Sequence, residues 1–199
     1  SSIIRLTGLK EPQIYAKINS EIDLEKWDKA MGLEPYDLKG RMSLHLLADG
    51  KYAKGVVKKG LRGVDTVITS IPKFSLDATF RDGYFKYASL PQAVNNISFD
   101  LKANCPDHVY QNTKLSLENI NANVLSNYIK GYFRMANAKD FPVDASIQSV
   151  FHLSDIKSFY PLDSMTLAGD LNIDVKTKGK YVAAKRLFPV TTAKFTMDN

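Results

Sequence analysis

The chain has 199 residues, 44% of them hydrophobic, which is enough apolar material for a folded core and excludes an intrinsically disordered segment. Its 27 lysines and arginines outnumber its 21 acidic residues, and the net charge of +6 favours anionic partners over cationic ones. The single cysteine, Cys105, excludes an internal disulfide framework and a thiolate metal cage. The sequence also lacks the roughly 18 to 20 consecutive apolar residues that a membrane-spanning helix needs.

Alternation of apolar and polar residues with a period of two is the dominant pattern along the chain, and it predicts strands with one buried and one solvated face. The clearest segments are residues 42–46, 76–80, 97–102, 115–117 and 171–176. The dipeptides Asp49-Gly50, Asp82-Gly83 and Lys178-Gly179 predict tight turns, because glycine tolerates the backbone angles that such turns require. We therefore expect mostly antiparallel neighbours.

Helical spacing, with apolar residues three and four apart, occurs in only two stretches, residues 23–31 and 153–159. A weaker third candidate covers residues 123–128. The spacing of apolar residues therefore predicts an all-β protein with one to three short helices.

An internal repeat relates the two ends of the chain. Residues 14–52 align with residues 143–181 without a gap at a constant offset of 129, and ten of the 39 pairs are identical, including the triplet Gly-Lys-Tyr at the end of each unit. Stacked repeats bury their apolar faces against their neighbours. We therefore expect one continuous sheet built from repeats, to which residues 53–141 contribute further strands.

Residues suited to catalysis do not form a recognisable pattern. His45, His108 and His152 are scattered, and the sequence contains no paired cysteines, metal-binding histidine pair, phosphate-binding loop or nucleophile motif. We interpret the histidines as ordinary exposed or edge residues. The sequence therefore predicts a non-catalytic binding or interaction module without a cofactor or metal.

Two surfaces remain as candidates for binding. The first is a basic stretch with Lys51, Lys54, Lys58 and Lys59, which is interpreted as a solvated turn region or as a contact for anionic headgroups; nucleic acid is disfavoured because few aromatic residues accompany it. The second is the apolar face of the strands. Alternation alone is compatible with a sealed core and with an open groove for a ligand.

One long motif resembles the C-terminal region of bacterial AsmA-like proteins, especially those of Bacteroidetes. Residues 80–101 read FRDGYFKYASLPQAVNNISFDL, which matches the pattern DGxFKYxxLPxAVxNIxxDL typical of that family. Shorter matches are NTKLSL at 112–117, FPVDA at 141–145, LSDIK at 153–157, PL at 161–162 and LAGDL at 167–171. The likeness covers residues 80–181 and, through the repeat, extends to residues 14–52.

The resemblance implies an elongated, curved antiparallel sheet that forms a groove or open half-barrel with an apolar concave face, as in the AsmA and TamB superfamily. It also implies a periplasmic segment of a longer protein anchored in the inner membrane of a Gram-negative cell, with a role in lipid transport and outer-membrane biogenesis and no catalytic residues. The expected partners are phospholipid or another membrane lipid and outer-membrane assembly proteins. On this basis residues 1–199 are expected to form a single β-rich fragment.

Candidate lipid-lining residues are the apolar members of the alternating strands: Leu44, Leu46, Phe99, Leu101, Leu115, Leu117, Leu171, Ile173 and Val175. The alternative is a structural or protein-interaction scaffold for outer-membrane assembly, with a sealed β core and no ligand.

Overall fold

A computed structural model describes residues 2–59, 63–158, 167–182 and 186–198 of the chain. Twelve strands account for most of them. They are β1 Ser2–Thr7, β2 Gln13–Asp23, β3 Tyr36–Lys51, β4 Ala53–Lys59, β5 Gly63–Ser70, β6 Lys73–Tyr87, β7 Val94–Cys105, β8 Lys114–Val124, β9 Asn127–Met135, β10 Pro142–His152, β11 Asp170–Lys180 and β12 Val190–Asp198. The helical elements are α1 Leu24–Met31 and two 3-10 helices, Tyr110–Asn112 and Leu153–Ser158.

Ten strands form one sheet in the order β1-β2-β3-β6-β7-β8-β9-β10-β11-β12, and each pairs antiparallel with its neighbours. The sheet is curved and does not close on itself, so β1 and β12 are its two edges. Strands β4 and β5 form a separate hairpin between β3 and β6. The predicted all-β, open antiparallel architecture is confirmed, and all five alternating segments lie within strands.

The prediction that residues 53–141 add strands to the same sheet is confirmed except at residues 53–70. Strands β6 to β9 continue the large sheet as expected, whereas residues 53–70 leave it and return as the β4–β5 hairpin. The sequence of this excursion contains strand-forming valines and threonines, and those favour strands without specifying which sheet the strands join.

The first predicted helix is confirmed. Helix α1 begins after Asp23, whose side chain accepts a hydrogen bond from the backbone N–H of Lys26, and it ends at Gly32 in the left-handed conformation. The second predicted helix forms as a 3-10 helix over Leu153–Ser158, and Phe159 lies outside the described residues.

The third predicted helix, at residues 123–128, is wrong. These residues form the tight turn between β8 and β9, where Val124 pairs with Asn127. Leu125 has a positive φ of 54°, which continues no right-handed helix.

The internal repeat is reproduced in the strand bounds and in the strand register. Strand β2 spans residues 13–23 and β10 spans residues 142–152, a displacement of 129 at both ends. Pairing follows the same rule, because Gln13 lies opposite Lys51 in the first unit and Pro142 lies opposite Lys180 in the second. Each unit is thus a pair of long strands joined through a helical segment.

The three predicted Xaa-Gly turns are wrong. Gly50, Gly83 and Gly179 lie inside β3, β6 and β11, not between strands. Gly50 and Gly179 have positive φ angles of 139° and 142°, and Gly83 lies at an irregularity in the pairing of β6 with β7. At Gly50 and Gly179 the backbone freedom that was assigned to turns is instead used inside strands, next to their last residue.

Candidate functional site: an open apolar face

One side of the sheet is apolar across nearly its whole width. Residues directly opposite each other on antiparallel strands project to the same side, so the register can be followed from strand to strand. One such row contains, from β2 to β10, Ile18, Leu46, Leu76, Ala103, Leu115, Met135 and Val143. A parallel row contains Leu44, Ala78, Leu101, Leu117, Phe133 and Ala145. We call the side of the sheet that bears these two rows the apolar face.

All nine residues predicted to contact lipid lie on the apolar face. Leu44 and Leu46 lie in β3, Phe99 and Leu101 in β7, Leu115 and Leu117 in β8, and Leu171, Ile173 and Val175 in β11. All nine are half-buried, so each exposes part of its side chain to solvent. The structure therefore brings together, on one surface, residues that are up to 131 positions apart in the sequence (44 and 175).

Further apolar side chains complete this surface but were not among the nine predicted lining residues, although Leu76 and Phe80 lie in the alternating segment 76–80. They are Ile14, Ile18 and Ile22 in β2, Phe74, Leu76 and Phe80 in β6, Phe133 and Met135 in β9, and Val143, Ile147 and Phe151 in β10. The signal was present, because β2 and β10 also alternate with a period of two. It was weaker there, since Ser20 and Ser149 interrupt the apolar positions.

The apolar face is uncovered but crowded. No second sheet packs across it in the described ranges, where strands pack against their neighbours in the sheet and α1 packs against β3 and β2. Even so, Phe80, Cys105 and Met135 are buried, with exposed fractions of 9%, 1% and 8%. Neighbouring side chains on the same face thus bury one another at these positions. Within the described residues this face therefore has no second β layer over it.

The dimensions of the apolar face, which we also call the trough, follow from sheet geometry. Ten strands spaced about 4.8 Å apart span about 43 Å, and an 11-residue strand such as β2 is about 36 Å long. Apolar exposure rises at the two edges, where a neighbour is missing on one side. Ile4 in β1 is 68% exposed and Phe195 in β12 is 64% exposed.

A small apolar cavity of about 360 Å³ lies at one end of the trough, beneath the 3-10 helix at residues 153–158. Val124, Phe151 and Ile156 provide its apolar lining. Its rim is held by Asn127, whose amide nitrogen donates to Asp155 at 3.0 Å and whose amide oxygen accepts from the backbone N–H of His152 at 2.6 Å. These contacts fix the helical segment over the end of the apolar face.

The opposite face of the sheet is polar and carries ion pairs between neighbouring strands. Arg134 on β9 donates two hydrogen bonds to Glu118 on β8, at 2.5 and 2.8 Å. Asp100 on β7 accepts hydrogen bonds from Asn119, at 2.6 Å, and from Arg81. Together these two donors hold the pKa of Asp100 below its usual value, because both stabilise the charged carboxylate. One face of the sheet is thus polar and solvated, while the other face is apolar.

The four lysines predicted to contact headgroups are divided by the structure. Lys51 ends β3 and forms an ion pair with Glu11. Lys54 and Lys58 project from the same face of the β4–β5 hairpin, and the Lys54 ammonium lies 5.8 Å from the ring centroid of Tyr52. The side chain of Lys59 lies outside the described part of the structure. Two of the four candidates therefore share one exposed surface.

The three histidines occupy separate places. His45 contacts Asn19 and Ser43 on the polar face, and Nδ1 of His152 lies 2.5 Å from Oδ1 of Asp170. His108 is half-buried, and its ring lies against Gly50. Within residues 2–59, 63–158, 167–182 and 186–198, no group of three or more histidine, cysteine, aspartate or glutamate residues is arranged to hold a metal ion. In that same part of the chain, no helix has the length and apolar character needed to cross a bilayer.

Comparison of the chain with protein-family models, with curated proteins and with solved structures gives no match.

Proposed function

We propose that this chain is a non-catalytic lipid-binding segment of an AsmA-like protein, which takes part in periplasmic lipid transport for outer-membrane biogenesis. The observation that supports the proposal is the apolar face, which crosses the sheet without a covering layer in the described residues. An acyl chain lying along this face would remove apolar surface from water, at a gain of about 25 cal/mol per Å². The headgroup would remain in solvent at the rim of the trough.

The trough favours a lipid over a small rigid ligand for two reasons. Its lining consists mainly of Leu, Ile, Val, Phe, Met and Ala side chains, with few polar groups that would orient a specific polar molecule. It also extends over about 43 Å, which suits an elongated hydrocarbon better than a compact ligand. A scaffold with a sealed core is the competing function, and the experiment below distinguishes it from the lipid-binding one.

Leu46 and Leu47 provide a matched pair for the test. They are adjacent in β3, but Leu46 lies on the apolar face and is half-buried, whereas Leu47 lies on the polar face and is 51% exposed. Leu46→Asp places a carboxylate in the trough, and an acyl chain bound there would remove water from this charge at a large cost in free energy. Leu47→Asp makes the same chemical change on the other side of the sheet, opposite Lys17.

The experiment is native mass spectrometry with organic extraction of the protein, purified without detergent from a Gram-negative host. The wild-type chain and Leu47→Asp are expected to carry phospholipid, and Leu46→Asp is expected to lose it. Circular dichroism verifies that each variant is folded. A folded wild-type protein that carries no lipid and takes up no fluorescent phospholipid would overturn the proposal in favour of the scaffold.

A further inference from the structure

The β4–β5 hairpin projects from the end of the sheet with both of its faces exposed. Every residue from Gly63 to Thr69 is exposed, as are Lys54 and residues 56–58. Val56 and Val64 are 69% and 73% exposed, which is unusual for valine in a strand. An isolated two-stranded hairpin with exposed valines is a poor structural element on its own. Its apolar side chains are therefore available for an external partner.

Charge and apolar character coincide on this hairpin. The pairs Val56–Thr66 and Lys58–Val64 project to one face, where Lys54 also lies. The described strands of the hairpin contain three lysines, Lys54, Lys58 and Lys59, against one acidic residue, Asp65. Valines flanked by lysines suit a partner whose surface carries anionic groups over an apolar layer. Each lysine can extend its ammonium toward an anionic group while its aliphatic stem stays among apolar groups.

The base of the hairpin is fixed to the body of the sheet. The backbone N–H of Ile71 donates to the His108 carbonyl at 3.0 Å, and His108 Nδ1 donates back to the Ile71 carbonyl at 3.1 Å. On the other strand, the backbone N–H of Tyr52 donates to the Pro12 carbonyl at 3.0 Å. The hairpin is thus fixed at the rim of the apolar face where β3 ends and β6 begins.

We infer that the β4–β5 hairpin docks onto an anionic phospholipid bilayer, with Val56 and Val64 in the interface and Lys54 and Lys58 against the headgroups. Docking would place this rim of the trough next to a source or destination of lipid. The inference rests on the proposed function for its purpose, but the hairpin's binding to a bilayer can be measured whether or not the trough contains lipid.

Sedimentation with vesicles of equimolar phosphatidylcholine and phosphatidylglycerol tests the charge requirement. A lysine near an anionic surface contributes about a five-fold gain in partitioning, so Lys54→Ser with Lys58→Ser should weaken vesicle binding about 25-fold. The control is Lys102→Ser with Lys176→Ser, which changes the net charge equally. These two lysines are exposed on the polar face of the sheet, so their replacement should leave binding nearly unchanged. Binding should also weaken as salt is added.

The apolar requirement has its own matched pair. Val56→Asp should reduce vesicle binding, whereas Val190→Asp should not, although Val190 in β12 is slightly more exposed, at 75% against 69%. A direct readout uses Trp27, the chain's single tryptophan, which lies in α1. In a Trp27→Phe background, Val56→Trp should show a blue-shifted emission on adding the vesicles.

The outcomes separate this inference from the proposed function. If docking is correct, the Lys54 and Lys58 double variant loses vesicle binding but keeps any lipid detected by native mass spectrometry, and Leu46→Asp behaves in the opposite way. Docking is overturned if the wild-type chain does not bind anionic vesicles, if the Lys102 and Lys176 variant is weakened equally, or if Val56→Trp shows no spectral shift.

Discussion

Gly50 lies at the base of the hairpin, and its replacement by alanine tests how that base is built. Gly50 has a φ of 139°, a conformation that costs an L-residue about 1 to 3 kcal/mol. A Cβ atom there would lie 2.6 Å from Cε1 of His108, so the ring would have to move. Moving the ring breaks the hydrogen bond from His108 to Ile71, worth about 1 kcal/mol. We expect Gly50→Ala to lower the free energy of unfolding by about 3 kcal/mol.

The repeat supplies the control for this prediction. Gly179 is the equivalent of Gly50 and has nearly the same φ, 142°, but the atoms nearest to a Cβ there would be those of Pro189 and Val190, at 3.2 Å or more. Gly179→Ala should therefore cost only the backbone strain, about 2 kcal/mol. For a chain of this size, the two substitutions should lower Tm by about 6 to 12 °C and 4 to 8 °C respectively.

A double-mutant cycle with His108→Ala isolates the contact with the ring. Without the ring, Gly50→Ala should cost the same as Gly179→Ala, which gives a coupling energy of about 1 kcal/mol between positions 50 and 108. Urea unfolding followed by circular dichroism measures all five proteins. A Gly50→Ala penalty that is unchanged by His108→Ala would refute the contact between the ring and the strand.

Two further predictions concern the faces of the sheet. Asp100 has a folded-state pKa below its unfolded value, so its stabilising contribution is present above the unfolded pKa, near 4, and is lost as pH falls below that. The difference in unfolding free energy between the wild-type chain and Asp100→Asn, measured by urea unfolding, should shrink from pH 6 to pH 3; a constant difference would contradict this. At the end cavity, Asn127→Ala removes three hydrogen bonds of a buried amide and should cost about 3 kcal/mol, whereas Ser126→Ala removes one exposed hydrogen bond to Asp155 and should cost less than about 1 kcal/mol. Equal costs in urea unfolding would show that Asn127 does not hold the rim.

Much of the fold was predictable because its strands follow local rules. Period-two alternation identified strands of the sheet, and the offset of 129 anticipated the equal registers of β2–β3 and β10–β11. The nine predicted trough residues share one face because each was an apolar member of an alternating run. The rule holds wherever one face of a strand meets water and the other does not.

The errors arise where tertiary structure overrides a local signal. Glycine after a polar residue is common both in tight turns and inside strands, so an Xaa-Gly pair alone does not distinguish the two. In the structure, β3, β6 and β11 continue through their Xaa-Gly pairs. The hairpin at residues 53–70 leaves the sheet for reasons that alternation does not encode. His108 was interpreted as an ordinary exposed or edge residue because its partner, Ile71, is 37 positions away and joins it only in the folded chain.

The central claim is that the apolar face holds lipid, and site-specific photocrosslinking tests it most directly. A benzophenone side chain would replace Leu101, on the apolar face in the middle of β7, or Lys102, its neighbour on the polar face. After irradiation in cells of a Gram-negative host, mass spectrometry of the purified protein should show a phospholipid adduct at position 101 and none at position 102. Adducts at both positions, or at neither in folded protein, would contradict a lipid-filled trough.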